Sequence, residues 1–174
     1  MKNITNKITK KGFTLIETLV VLSVIGLISA MGINFLSTIT KGSTKTNITT
    51  EIKQNGNYVL DVMSYYIRNS TNIISCSGSS ISLRQWDGTI VNFTLLDRDD
   101  TNKINARIAS NAGELTNGDK DSGINVTNLL FVCTSTTQPT VKISFTMTQS
   151  YWLPDRPEFK TSVPFETTLA LRSY

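Results

Sequence analysis

KKGFTLIETLVVLSVIGLIS, residues 10–29, sets two lysines and a glycine ahead of an apolar run and then places one carboxylate inside it. Glu17 is the only charged residue between Lys11 and Lys41. From Thr18 to Leu36 the side chains are almost all apolar, broken only by small residues and Asn34. Counted from Phe13, the stretch is about 24 residues, or roughly 36 Å as a helix at ~1.5 Å per residue, enough to cross a bilayer. A carboxylate at the centre of such a span costs at least ~2.5–3.5 kcal/mol on insertion scales. Glu17 therefore needs a partner or a purpose.

Lys2, Lys7, Lys10 and Lys11 precede the apolar run. Their position predicts a cytoplasmic N-terminal dozen and export of everything after Leu36. A secretory signal peptide would have a shorter apolar region closed by a small-residue cleavage site, and Ser29-Ala30-Met31 is a poor one. A plain signal anchor leaves Glu17 unexplained. The net charge of +4 belongs to this N-terminal cluster, because the rest of the chain carries thirteen basic against thirteen acidic residues. That neutral balance argues against a nucleic-acid partner, which would call for a basic stripe with interleaved aromatics. The chain has no histidine, which removes the commonest general base and the commonest metal ligand together. The abundance of Thr, Ser and Asn suits exposed strands and turns.

Lys10-Lys11-Gly12-Phe13-Thr14-Leu15-Ile16-Glu17 resembles the prepilin signature of type IV pilins and of the pseudopilins of type II secretion and competence systems. The resemblance implies cleavage between Gly12 and Phe13 on the cytoplasmic side by a prepilin peptidase, followed by N-methylation of Phe13. It also implies storage in the inner membrane, an assembly platform there, and other pilin or pseudopilin subunits as partners. Glu17 then has a physical role. Cleavage creates a positive amine at Phe13, and a carboxylate about one helical turn on can pair with it or with a neighbour's, offsetting part of its desolvation. In the family's filaments Glu17 would meet the Phe13 amine of the adjacent subunit and set register. The bland reading is an interfacial glutamate tolerated near a helix end.

Beyond Leu36 the sequence stays compatible with helix. Ile48, Ile52, Val59, Met63 and Tyr66 or Ile67 recur at helical intervals and mark one apolar stripe suited to covering a sheet. Gly42 and Gly56 weaken the helix by roughly 1 kcal/mol each against Ala. The expectation is one helix from Phe13 to about Asn69. From Ile73 the period becomes two. Val141, Ile143, Phe145 and Met147 alternate with polar residues, and Phe165, Thr167, Leu169 and Leu171 mark a second strand. Further strands are expected in the runs from Ser80, Thr89, Ile104 and Val126, with a hairpin turn at Trp86-Asp87-Gly88-Thr89. The fold class is α+β: a long N-terminal helix, membrane-spanning in its first half, packed on an antiparallel β-sheet in the manner of pilins. The division expected is a removed leader at 1–12, a transmembrane and assembly segment at 13–38, and an exported globular domain at 39–174. The runs YYIRNSTNI, TNLLFVC, TVKISFTMT and FETTLALR resemble J-type pseudopilins and PilW-like minor pilins.

Cys76 and Cys133 are the two cysteines. On the exported side of a membrane two cysteines often pair, and closing so long a loop contributes roughly 4 kcal/mol by chain entropy. The alternative is two separate buried thiols. Residues 117–123, with Asp97, Asp99 and Asp100 nearby in sequence, offer oxygen ligands at alternate positions. Asn128, however, stands where a calcium loop wants a bidentate glutamate, so a solvated turn is expected and no metal or cofactor is assigned. No nucleophile has a plausible base, and Glu51 and Asp61 read as a solvated helix face, so the chain is not expected to be an enzyme. The expected role is a minor pilin or pseudopilin acting in filament assembly or initiation, ending in a cell-surface or periplasmic filament. A competence pilin that captures DNA, an adhesin and a type II secretion pseudopilin are the alternatives.

Overall fold

In a computed structural model the described residues are 12–134, 138–157 and 159–171. The leader lysines lie outside them. One helix, α1 (Leu15–Arg68), is followed by eight strands: β1 (Ser70–Ser77), β2 (Ser80–Gln85), β3 (Ile90–Leu96), β4 (Arg107–Ser110), β5 (Gly113–Glu114), β6 (Ile124–Thr134), β7 (Thr140–Gln149) and β8 (Ser162–Ala170). The chain divides into two compact units, Met1–Lys41 and Gly42–Tyr174.

Within the second unit, α1 buries Ile48, Ile52, Gly56, Val59, Met63 and Ile67. Their spacing of three and four residues keeps them on one face, as the sequence pattern predicts. That stripe joins a single core with Ile81 and Leu83 of β2, Val91 and Phe93 of β3, Ile108 of β4, and alternate residues of β6, β7 and β8. The architecture is α+β, a long helix packed on antiparallel strands.

The strands form two sheets where a single one was expected: β1-β2-β3-β4-β5 and β6-β7-β8, each antiparallel and ordered as in the chain. The turn between β2 and β3 falls at Trp86–Thr89. There Gly88 adopts φ 84°, and the Asp87 carboxylate accepts from the Thr89 amide at 2.9 Å and hydroxyl at 2.7 Å. The run from Ile104 becomes a strand only at Arg107. Ile104 instead makes an isolated bridge to Asp99, and Asn105 turns into the interior. β1 went unrecognised in the sequence because two bulges, between Ser70 and Asn72 and between Ile73 and Ser75, erase its two-residue period. β6 carries another between Thr127 and Leu130, where Asn128 has φ 57°. The bulge changes the phase of the strand, so Val126 and Leu129, three residues apart, both point inward.

Gly56 has a packing role that helix propensity alone conceals. A Cβ built there would lie 2.1 Å from Phe165 Cζ, so the ring of β8 rests directly on the helix backbone. Phe165 in turn stacks on Phe145 of β7, with centroids 5.1 Å apart. Cys76 of β1 and Cys133 of β6 form a disulfide across 57 residues, with Cα atoms 6.4 Å apart. The bridge ties one sheet to the other.

Candidate functional site

The site is the N-terminus of α1 and the apolar surface that follows it. Gly12, Phe13 and Thr14 precede the first helical turn, so the helix begins two residues later than the sequence pattern suggested. Thr14 is the reason. Its backbone carbonyl accepts from the Glu17 and Thr18 amides at 3.1 and 3.2 Å, and its hydroxyl accepts from the Glu17 amide at 3.4 Å. Thr14 is an N-cap, and Thr14-Leu15-Ile16-Glu17 has the spacing of a capping box. The signal was present in the sequence as a Thr three residues before a Glu, inside the stretch that carries the prepilin resemblance.

Glu17 thus occupies the first turn of α1, where the partial positive charge of unpaired amides favours a carboxylate. Its side chain is exposed, as are Gly12 and Phe13, the latter at 79%. An added Cβ at Gly12 would meet nothing within 4 Å. The peptide bond between Gly12 and Phe13 therefore lies ahead of the helix, between two exposed residues.

From Leu15 to Ile39, Glu17 and a few small polar residues aside, the helix is apolar all round. Leu15, Ile16, Leu19, Val20, Leu22, Ile25, Leu27 and Ile28 are all exposed. Among the described residues this is the one helix long and apolar enough to cross a membrane, and none of its most apolar window is buried. The polar side chains along it are satisfied internally. Thr18 and Ser23 donate to the Leu15 and Leu19 carbonyls at 2.8 Å, and Thr38 to that of Asn34 at 3.0 Å. Asn34, the most polar interruption, donates its amide to the Ala30 carbonyl at 3.1 Å. In a solvent without water such internal bonds are what allow these residues to be present. Glu17 has no bond of this kind from its carboxylate among the described residues.

The acidic loops are closed on themselves. Asp119 accepts from the Asp121 and Ser122 amides at 2.8 and 2.9 Å, and these bonds, that of Ser122 foremost, lower its pKa below the ordinary carboxylate value. Asp99 is lowered in the same way, first by the Asn102 side-chain amide at 2.8 Å. Asp100 pairs with Arg98 at 2.6 Å, and Arg98 lies 3.9 Å over the Tyr151 ring. No cluster of three or more His, Cys, Asp or Glu side chains able to hold a metal ion occurs among the described residues. The loop of residues 117–123 is anchored by Asn105, which sequence reasoning missed. Fully buried, it donates to the Asp119 carbonyl at 2.8 Å and to Ser150 Oγ at 2.9 Å, and accepts from the Tyr151 amide at 2.9 Å. A lone Asn in an Asn-rich chain gives no sequence signal of such a role.

No curated protein and no solved structure matches the chain. Residues 8–33 match the family model described as the prokaryotic N-terminal methylation motif. The matched residues hold Gly12, Phe13, Thr14 and Glu17 together with most of the exposed apolar run. The motif and the helix geometry support a type IV pilin-like protein, anchored in a membrane by a single N-terminal helix.

Proposed function

We propose that the chain is a minor pilin or pseudopilin, a processed and N-methylated subunit of a type IV pilus-like filament that acts in assembly or initiation. One observation carries the reading: the first part of α1, from Leu15 to Thr40, is exposed and largely apolar, and its only charged group, Glu17, sits in the first turn, just beyond the Gly12-Phe13 junction. A free apolar surface of this extent is suited first to lipid and then to the packed helices of a filament core. The prepilin peptidase would cleave after Gly12 and methylate Phe13. The inner-membrane assembly platform would then pass the subunit to its neighbours. Glu17, whose carboxylate has no bond among the described residues, would take the incoming Phe13 amine as partner. The role is structural rather than enzymatic. The J-type pseudopilin or PilW-like minor pilin branch is the finer assignment, supported by the downstream sequence runs alone. Before assembly the globular domain would face the exported side of the membrane, with the leader in the cytoplasm.

Mass spectrometry of the protein extracted from membranes of its own host tests the reading. Loss of the twelve leader residues with one added methyl on Phe13 is expected. An intact leader, or an N-terminus near Met31, contradicts it.

A further inference from the structure

Two Asn-Gly pairs occur in the chain, Asn55-Gly56 and Asn117-Gly118. In such a pair the glycine amide nitrogen can attack the asparagine side-chain carbonyl carbon, because no Cβ obstructs the approach. We propose that Asn117 is a site of spontaneous deamidation and backbone isomerisation in the folded protein, and that Asn55 is not.

Both glycines are buried, and the two environments differ in the asparagine side chain and in the bonding of the glycine amide. Asn117 is exposed at the head of the loop before β6. Its Oδ1 accepts from the Asp119 amide at 2.9 Å. That donor withdraws electron density from Cγ and stabilises the oxyanion that forms on attack, as an oxyanion hole does. Gly118 is buried against Ile104 and Arg107, but its amide donates no hydrogen bond among the described residues, so attack breaks no backbone bond at that nitrogen. Asn55, by contrast, donates its Nδ2 to the Glu51 carbonyl at 2.9 Å. Gly56 is interior to α1, its amide belongs to the helix ladder, and the Phe165 ring covers it. Attack there requires α1 to open at the centre of the core.

At Asn117 the Gly118 N–Cγ bond forms, the Cγ–Nδ2 bond breaks, and ammonia leaves with the proton lost from the Gly118 nitrogen. Water then opens the five-membered ring at either carbonyl, leaving aspartate or isoaspartate. No oxidant or enzyme is needed. In isoaspartate the main chain runs through Cβ and Cγ of residue 117, so it gains a methylene ahead of Gly118, whose carbonyl accepts from Asn105 at 2.8 Å, and the original Asn117 carbonyl, which accepts from Ile124 at 2.9 Å, becomes a free carboxylate. Either product also adds a carboxylate beside Asp119 and Asp121. Ageing of the protein would therefore begin at the entry to β6.

The test is to incubate the full-length protein, folded in detergent under warm and mildly alkaline conditions, beside a sample in denaturant. Peptide mapping by mass spectrometry follows both asparagines, and a carboxyl methyltransferase labels isoaspartate. In the denatured sample both should convert at similar rates. In the folded sample Asn117 should convert faster than Asn55 by roughly a hundredfold, the factor that opening a core helix imposes. Equal rates in the folded protein, faster conversion at Asn55, or an unchanged Asn117 once the denatured sample has converted would each overturn the proposal.

Discussion

α1 passes through two regimes along one continuous backbone. Between Leu15 and Asn47 no residue is buried, whereas from Ile48 to Ile67 six residues are. In the later stretch apolar side chains fall on one stripe and polar ones on the rest, so the helix is held by what it covers. In the earlier stretch, as far as Ile39, apolar side chains surround the axis, and among the described residues there none is buried. The difference teaches that one secondary structure can rest on two supports. The second stretch is stabilised by the protein's own core, and the first presents an apolar surface suited to lipid or to other helices. A glycine shows the contrast in a single residue type. Gly26 and Gly32 have open space around them, and Gly56 is the seat of an aromatic ring.

Substitutions should therefore act on the two stretches in opposite ways. Thermal unfolding followed through Trp86 and Trp152, both in the second unit, reports on that unit alone. The largest effect expected is loss of the Cys76–Cys133 bridge. Replacing both cysteines with Ser should destabilise the second unit by about 4 kcal/mol, as closure of a long loop implies, while helicity of the first stretch in detergent is unchanged. Truncating the buried stripe comes next. Ile52→Ala should cost about 2–5 kcal/mol, and Leu22→Ala close to nothing in the same assay. A comparable loss from Leu22→Ala would mean that the exposed stretch is held by the domain after all. Gly56→Ala should cost about 1–3 kcal/mol despite the better helix former, because Phe165 must move. Gly26→Ala should leave the second unit untouched and strengthen its own helix by up to roughly 1 kcal/mol. The smallest effect concerns acid. Asp119 has a lowered pKa in the fold, so its contribution is present above the unfolded carboxylate value and is lost as pH falls through the folded one. Melting curves of Asp119→Asn and the parent protein should differ slightly at neutral pH and converge in acid, below ~4.

The same contrast decides how much of the molecule was legible in its sequence. Both regimes of α1 could be read, the first as unbroken apolarity and the second as a stripe at helical spacing. β7 was equally plain, because both its faces follow the pleat from Val141 to Met147. β1 was hidden, since each of its two bulges inserts a residue and resets the alternation. The split into two sheets depends on where strands stop pairing, and side-chain pattern carries no record of that. Gly56 looked like a helix weakness because the ring that needs its missing Cβ lies more than a hundred residues away in sequence. At the candidate site, Glu17 stood out as the one charge in the apolar run, and Gly12 and Phe13 through the resemblance to the prepilin signature. Thr14 did not, although its cap fixes where the helix begins.

Glu17 is where the account is most exposed to test. If its place in the apolar stretch is to meet a neighbour's amine, Glu17→Ala removes a costly charge from the membrane, and insertion and processing after Gly12 should be as good as before or better. Assembly alone should fail, because the incoming Phe13 amine then lacks its partner. The measurement is the ratio of processed subunit in sheared filaments to processed subunit in the membrane, for Glu17→Ala and the parent protein in the same host. Processed subunit should be retained in the membrane and depleted from filaments. Incorporation at the parent level would contradict the pairing, and would leave Glu17 as no more than part of the helix cap.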